Sequence, residues 1–415
     1  MEMKKYKLND VCLKITDGSH FSPKAVDFGY PMYSVKDMNE FGFNDSDYKM
    51  ISEDDFKSLV AAGCRPQKDD VLIAKDGSYL KYAFVCKEEK DEVILSSIAI
   101  LRPNKDIIDP TFFSFLLRNP SVKKSMKYYV SGTALPRIVL DNFKKMEINI
   151  PELSEQKKIG DMLSTLDKRI ENLRAQNRVL EQTAKTIYDY TFLQCAGHQT
   201  TYNKTLNRNI PTNWEVSTIG CYIKESKGGD WGKENPEKNY NLQVSCIRGA
   251  DIEKMTDLPI RYILAKNSSK LLQEFDLVVE ISGGSPTQST GRSRLMTKEL
   301  LEMFDNKLIC SNFCQAVTMK NPQYAYYISF MWKMFYDNGI FFNFEGKTSG
   351  IKNFQLDQFV DTMWFFPDLK TVEKFNAQVA PLIKKQLFNA KQIEALTTQR
   401  NTLLPLLMIG QVEVM

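Results

Sequence analysis

The sequence predicts an α+β protein: two similar β-rich globular domains separated by two long helices that form an antiparallel coiled coil, with approximate two-fold symmetry. Three observations lead there. Half of the chain occurs twice, each copy ends in a stretch of helical heptad periodicity, and 415 residues exceed what one hydrophobic core usually organises. The implied boundaries are 1–150 for the first domain, 151–200 for the first helix, 201–366 for the second domain and 367–415 for the second helix.

The duplication is tightest before the helices. Leu140-Asp141-Asn142-Phe143 recurs as Leu356-Asp357-Gln358-Phe359, and the same offset carries Pro151 onto Pro367, Leu153 onto Leu369 and Leu180 onto Leu396. So long a period marks a repeated domain and not a solenoid unit. Upstream, Gln67 to Ile73 answers Gln273 to Val279, each run entering a Gly-Ser loop, Asp76-Gly77-Ser78 and Gly283-Gly284-Ser285. Tyr30 to Val35 answers Asn241 to Ile247, and Ile94 to Leu101 answers Leu308 to Thr318. Such β-branched runs ending in small polar residues read as strands entering exposed turns.

The first helix is expected from Glu152 to about Tyr190, roughly 35 residues or on the order of 55 Å, with Ser154 as its N-cap. Its seam is Ile159, Leu163, Leu166, Ile170, Leu173, Asn177, Leu180, Ala184 and Ile187, the four-three alternation of heptad a and d positions. The duplicate, from Thr371 onward, places Phe375, Val379, Leu382, Ile393, Leu396 and Leu403 at the same positions. Gln386, Asn389 and Arg400 interrupt it, Leu387 and Ala390 stand ready to take over locally, and Pro381 suggests a kink or a later start. A helix that long outreaches one small domain, so each supplies the other's partner. The outer face mixes Lys and Arg with Asp and Glu almost evenly, as a solvated spacer does.

Composition is that of an ordinary globular chain, 43% hydrophobic and 26% charged, and the net charge of +4 makes any polyanion-binding surface a local one. The eight cysteines are scattered and only two histidines, His20 and His198, are present, so a zinc site is not expected; buried free thiols in a reducing compartment are. No signal peptide opens the sequence, and the longest apolar run, Leu403 to Ile409, is too short to span a bilayer; the expected location is the cytoplasm.

Catalytic motifs are not found. Glu345-Gly346-Lys347-Thr348 imitates the end of a phosphate-binding loop, but Phe341 stands where its first glycine belongs. Asn321-Pro322-Gln323-Tyr324 departs by one residue from the loop with which adenine methyltransferases hold a flipped base, and no glycine-rich cofactor turn precedes it. No hydrolytic triad is suggested, and Asp70 with Lys75 reads equally well as a strand-to-turn junction.

Several segments, in order and twice over, resemble the specificity subunit of type I restriction-modification systems. They are Tyr6-Lys7-Leu8-Asn9-Asp10-Val11 with Thr16-Asp17-Gly18-Ser19-His20, then Gly132-Thr133-Ala134-Leu135-Pro136-Arg137-Ile138, then Pro151-Glu152-Leu153-Ser154-Glu155-Gln156. The second half offers Ile210-Pro211-Thr212-Asn213-Trp214-Glu215-Val216, Lys347-Thr348-Ser349-Gly350-Ile351-Lys352-Asn353-Phe354 and the closing Leu403-Leu404-Pro405 segment, while Pro367-Asp368-Leu369-Lys370 departs from the first helix's acidic opening.

The resemblance implies two target-recognition domains, each reading half of a bipartite double-stranded DNA site across a spacer set by the helices. It also implies two modification subunits that bring S-adenosylmethionine, and restriction subunits that bring ATP and Mg; this chain itself would hold no cofactor, no metal and no catalytic residue. The DNA-binding candidates lie in loops: Thr16, Asp17, Ser19, His20, Lys75, Ser78, Tyr79, Lys81, Thr133 and Arg137 in the first domain. In the second they are Lys227, Asp230, Trp231, Lys233, Ser285, Thr287, Gln288, Arg292, Arg294, Lys347, Ser349 and Lys352. Arg292 and Arg294 suit guanine or phosphate, and Gln288 suits adenine. Two other readings stay open on the residues alone: an assembly scaffold that binds protein at both ends, and a self-contained DNA adenine methyltransferase.

Overall fold

The apolar runs that punctuate each half of the chain become sheet centres because both faces of those strands are covered. Val71–Ala74 is buried along its whole length. Its alternate side chains serve two cores: Val71 and Ile73 meet Phe112, Phe113 and Leu163, while Leu72 and Ala74 meet Tyr33, Phe84 and Ile94. The strand Leu277–Glu280 repeats this, with Leu277 and Val279 packed on Trp332 and Phe341, and Val278 on Ile247, Met296 and Leu300.

The structure, a computed structural model, describes residues 2–77, 80–130, 136–285, 287–348, 351–412 and 414, with 347 and 348 described by their backbone alone. It divides into two units, Met1–Arg174 with Gln392–Met415, and Ala175–Lys391. Each unit thus holds one globular domain and a part of both long helices.

The domains share one topology. The first unit's main sheet orders Cys12–Asp17, Ile98–Pro103, Val71–Ala74 and Ala83–Val85, all antiparallel; the second orders Ile223–Gly228, Cys314–Met319, Leu277–Glu280 and Ser293–Leu295 in the same way. A second sheet sets Lys49–Ile51 antiparallel and Val93–Ile94 parallel to Tyr30–Tyr33, and Ile260–Leu264 and Leu308–Cys310 flank Tyr240–Ile247 with the same polarities. Lys4–Lys7 pairs with Glu147–Ile150 as Glu215–Thr218 pairs with Met363–Phe366. The hairpin Thr200–Asn203 with Arg208–Pro211 belongs to the second unit.

Even single contacts repeat. A Cβ on Gly18 would lie 2.1 Å from the Ile94 carbonyl oxygen, and one on Gly229 would lie 2.3 Å from that of Cys310, so the first strand of each main sheet turns against the parallel strand at a point only glycine fits. The Gln67 N–H donates to Asp70 (2.8 Å) as the Gln273 N–H donates to Asp276 (2.9 Å). The α+β class and the duplication read from the sequence describe the molecule.

The first long helix runs Leu153–Tyr188 and continues as a π-helical turn, Asp189–Leu193. Ser154 does not cap it; the first intrahelical bonds run from Glu155 and Gln156 to the Glu152 carbonyl, which puts Ser154 inside the first turn. Gln156 anchors this end, accepting from the Asp109 N–H (2.9 Å) and donating to the Ile107 (3.0 Å) and Pro151 (2.8 Å) carbonyls. The second helix, Leu369–Met408, starts earlier than expected, with Asp368 accepting from the Thr371 N–H and hydroxyl. It passes unbroken through Pro381, an exposed position where the carbonyl left without a donor can meet water.

Within each unit the two helices run antiparallel. In the first, Ile159 and Leu163 share a core with Leu404, Leu407 and Met408, and Asp167 accepts from Arg400 at 2.7 Å. In the second, Ala184 and Tyr188 share a core with Phe375 and Val379. Of the remaining expected seam residues, Ile170 and Leu173 are buried, and Leu166, Leu180, Leu382, Ile393 and Leu396 are half-buried. The polar interruptions are bonded rather than bypassed: the Asn177 amide donates to the Gln386 carbonyl (3.2 Å), Gln386 returns the bond to the Asn177 carbonyl (3.1 Å), and Asn389 donates to the Asn177 side chain (2.9 Å). Leu387, expected to fill the seam there, instead faces the domain and packs with Ile247, Met296 and Leu300.

The eight cysteines are free thiols; six are buried, Cys12 is half-buried, and Cys221 departs from expectation by being exposed. Among the described residues no helix is long and apolar enough to cross a membrane, and no group of three or more His, Cys, Asp or Glu side chains stands ready for a metal ion.

Candidate nucleic-acid interface

In each domain the loops singled out by the sequence gather at one edge of the main sheet. In the first, the strand Cys12–Asp17 ends in the turn at Gly18, where the Ser19 N–H donates to the Ile94 carbonyl (2.9 Å) and its hydroxyl to the Phe21 carbonyl (2.6 Å). Thr16 is half-buried, Ser19 is buried and His20 is exposed, 3.4 Å from the Asp17 carboxylate. Lys75 lies beneath this turn, only 6% exposed, its ammonium 3.3 Å from both Asp17 and Asp76. The third loop is tied in by a bridge between Asp76 and Arg137 and by the Ile138 N–H donating to the Lys75 carbonyl (3.0 Å). Lys81 is exposed, its ammonium 4.9 Å from the centre of the Tyr82 ring. Ser78, Tyr79 and Thr133 lie outside the described residues.

The second domain uses the same scaffold with different side chains. The Phe354 N–H donates to the Ile281 carbonyl (2.9 Å), the counterpart of Ile138 to Lys75, and Ser282–Gly283 pairs with Ile351–Phe354 in a small sheet with Glu345–Thr348. Lys227 is 3.1 Å from the buried Asp276. Asp230 caps its own loop by accepting from the Gly232 N–H (2.9 Å) and the Asn267 amide (2.6 Å). Trp231 is half-buried under the Arg261 guanidinium, 4.0 Å from the ring centre. Lys233 is exposed, its backbone exchanging two 2.9 Å bonds with Tyr262.

Arg292 donates from two nitrogens to the buried Glu280 carboxylate (2.9 and 2.7 Å), a bond that holds its guanidinium above the ordinary pKa. Arg294 is half-buried, and desolvation pulls it the other way. Lys352 is 3.2 Å from Glu345 and donates to the Gln288 carbonyl (3.2 Å). Thr287 and the Gln288 side chain are exposed, and Ser285 accepts from the Gln288 N–H (3.2 Å). Lys347 is described by its backbone only, and Ser349 lies outside the described residues.

These contacts sort the candidates physically. Lys75, Lys227, Arg292 and Lys352 already neutralise carboxylates of their own domain and act as braces between loops. The exposed groups, His20, Lys81, Lys233, Thr287 and Gln288, are those a ligand meets first. A concavity of about 380 Å³ beside the second domain's loops adds amides of Gln315, Asn353, Gln355 and Gln358, groups that suit base edges. The sequence reading passed over one further feature: between Asp109 and Asp141 there is no acidic residue but five basic ones, Arg118, Lys123, Lys124, Lys127 and Arg137.

Two domains that repeat the same main and flanking sheets, each with a braced loop cluster and each holding part of both long helices, make a duplicated architecture. Residues 1–182 match the family model for the type I restriction modification DNA specificity domain. The chain is 24% identical over 318 residues to the type I restriction enzyme MjaIX specificity subunit of Methanocaldococcus jannaschii, covering 75% of this chain and 71% of that one. It is 30% identical over 134 residues to the HindI specificity subunit of Haemophilus influenzae, covering 31% and 28% of the two chains. The crystal structure of an S subunit from M. genitalium matches in fold with a TM-score of 0.63 at 15% identity, covering 98% of this chain and 96% of that one. Residues 1–182 thus match the type I specificity domain, and the chain as a whole is similar to specificity subunits of type I restriction-modification systems.

Proposed function

We propose that this chain reads a bipartite site in double-stranded DNA, each domain taking one half-site, and that the paired helices fix the distance between them and dock two modification subunits. The observation that carries this reading is the repetition of one loop cluster, down to Gly18 and Gly229, on two copies of one sheet. Duplicated readers joined by a stiff spacer match DNA at two positions of set helical phase, as dimeric readers match half-sites. In this reading Arg292, Lys75, Lys227 and Lys352 hold the loops in shape, and base contacts come from exposed donors and acceptors such as His20 and Gln288.

The chain carries out no bond-making step. Methyl transfer from S-adenosylmethionine belongs to the modification subunits, and ATP- and Mg-dependent translocation and cleavage belong to restriction subunits where these are present. The assembly works in the cytoplasm. Binding of duplexes by the complex of this chain with its modification subunits, titrated against salt, tests the reading. Sequence-preferring binding that weakens linearly in log salt is expected; binding without preference for any duplex sequence sinks it.

A further inference from the structure

The loop clusters described above contribute little free positive charge, because four of their cations are closed on carboxylates of the same domain. Affinity for duplex DNA nevertheless comes largely from phosphate neutralisation. The charge must be supplied elsewhere, and the first domain has a surface that fits.

After the strand Ile98–Pro103 the chain forms two short helices, Pro110–Arg118 and Pro120–Met126, then a 3-10 turn, Lys127–Tyr129. Met126 enters the domain core, with Val122, Tyr129 and Val130 packed against it. This fixes the outward face: Lys124, Lys127 and Tyr128 are exposed, Tyr128 by 85%, and Lys123 is half-buried. Lys123 donates to the Lys81 carbonyl (3.4 Å), which sets this face beside the loop after Val71–Ala74. The Asn142 amide donates to the Tyr129 carbonyl (2.7 Å), which brings exposed Lys145 alongside. Among the described residues no carboxylate pairs with Lys81, Lys123, Lys124, Lys127 or Lys145. The carboxylates nearest in the fold are taken: Glu40 and Asp167 bind Arg118 and Arg400, and Asp141 binds Lys144.

Like charges at Lys123 and Lys127, one helical turn apart, cost a helix a few tenths of a kcal/mol unless an anion answers them. The second domain offers no equivalent. In its segment between Cys314–Met319 and Glu345–Thr348, Lys333 is paired with Asp337, leaving Lys320 as the other basic residue.

We propose that Lys81, Lys123, Lys124, Lys127 and Lys145, with Tyr128 among them, form a sequence-independent anchor for the sugar-phosphate backbone of duplex DNA beside the first half-site. The two domains then divide the work unequally: the first grips and reads, and the second chiefly reads. The inference rests on the DNA-reading function above, and its test separates the two.

The variant K123A/K124A/K127A is compared with wild type in the complex with its modification subunits, on cognate and scrambled duplexes across a salt series. Expected are an affinity loss of about tenfold or more, equal on both duplexes, and a log-log salt slope smaller by about 2 to 3, at roughly 0.9 per lost phosphate contact. The methylated sequence stays the same. Unchanged affinity and slope overturn the anchor, and so does a loss confined to the cognate duplex. Failure of the variant to assemble, with an unaltered melting curve, would assign the face to an acidic protein surface instead. The single variant K124E, at an exposed position away from the core, guards against misfolding and must show the same sequence-independent loss. Wild-type complex without any sequence preference would remove the DNA-reading function itself, a pattern distinct from all of these.

Discussion

Arg292 and Glu280 illustrate how a residue with the look of a ligand contact serves the fold first. The Glu280 carboxylate is 4% exposed, and both of its oxygens are held by the guanidinium. Removing one partner leaves a buried, unpaired charge, so Arg292→Ala should destabilise the second unit by about 3 kcal/mol in urea melts, and adding Glu280→Ala should recover much of it. A double variant as unstable as the single one would contradict the brace. The thiols give a second residue-level outcome. Burial pushes Cys246 and Cys310 up to about 12, whereas hydroxyl bonds from Ser217 and Thr218 lower exposed Cys221. Thiolate is the reactive form, so alkylation followed by mass spectrometry at mildly basic pH should label Cys221 well before the buried six.

The long helices show why part of the architecture was legible and part was not. A four-three seam with no proline in the first helix announces a long partnered helix whatever its surroundings, and the antiparallel pairing within each unit follows from it. What the pattern hides is the partner of each exception. Arg400 meets Asp167 across the helix pair and Glu40 from the domain, and Leu387 answers a core built by residues as distant as Ile247. The layer of Asn177, Gln386 and Asn389 leaves one buried acceptor, the Asn389 side-chain oxygen, without a partner among the described residues. Such layers sacrifice stability for a single register. Replacing Asn177 and Asn389 together by Leu should therefore raise the melting temperature while admitting shifted pairings, seen as mixed species in ultracentrifugation; a less stable, homogeneous protein would contradict that role.

The loops were legible in position but not in function, for a similar reason. Lys75, Lys227 and Lys352 stand where a polar reading places ligand contacts, yet each has a carboxylate neighbour that only the folded sheet brings near. Conversely, the lysines around Tyr128 form no motif; their signal is an acid-free run from 110 to 140 that stands in the sequence, while only the fold shows which of its lysines are exposed together.

At the scale of the molecule, the proposed function makes the paired helices set the spacer between half-sites. Deleting residues 166–172 together with their opposite numbers 395–401 removes one heptad from each helix and takes Asp167 out with Arg400. About 10 Å of helix, at 1.5 Å per residue, corresponds to roughly three base pairs, so the spacer should shorten by about that much while both half-sites stay the same. The most direct test needs no variant: mapping methylated adenines across genomic DNA from cells carrying this chain with its modification subunits. Two short specific sequences separated by a fixed run of unspecified bases, with one methylated adenine in each half, is the predicted result. A single uninterrupted motif would contradict two domains reading apart.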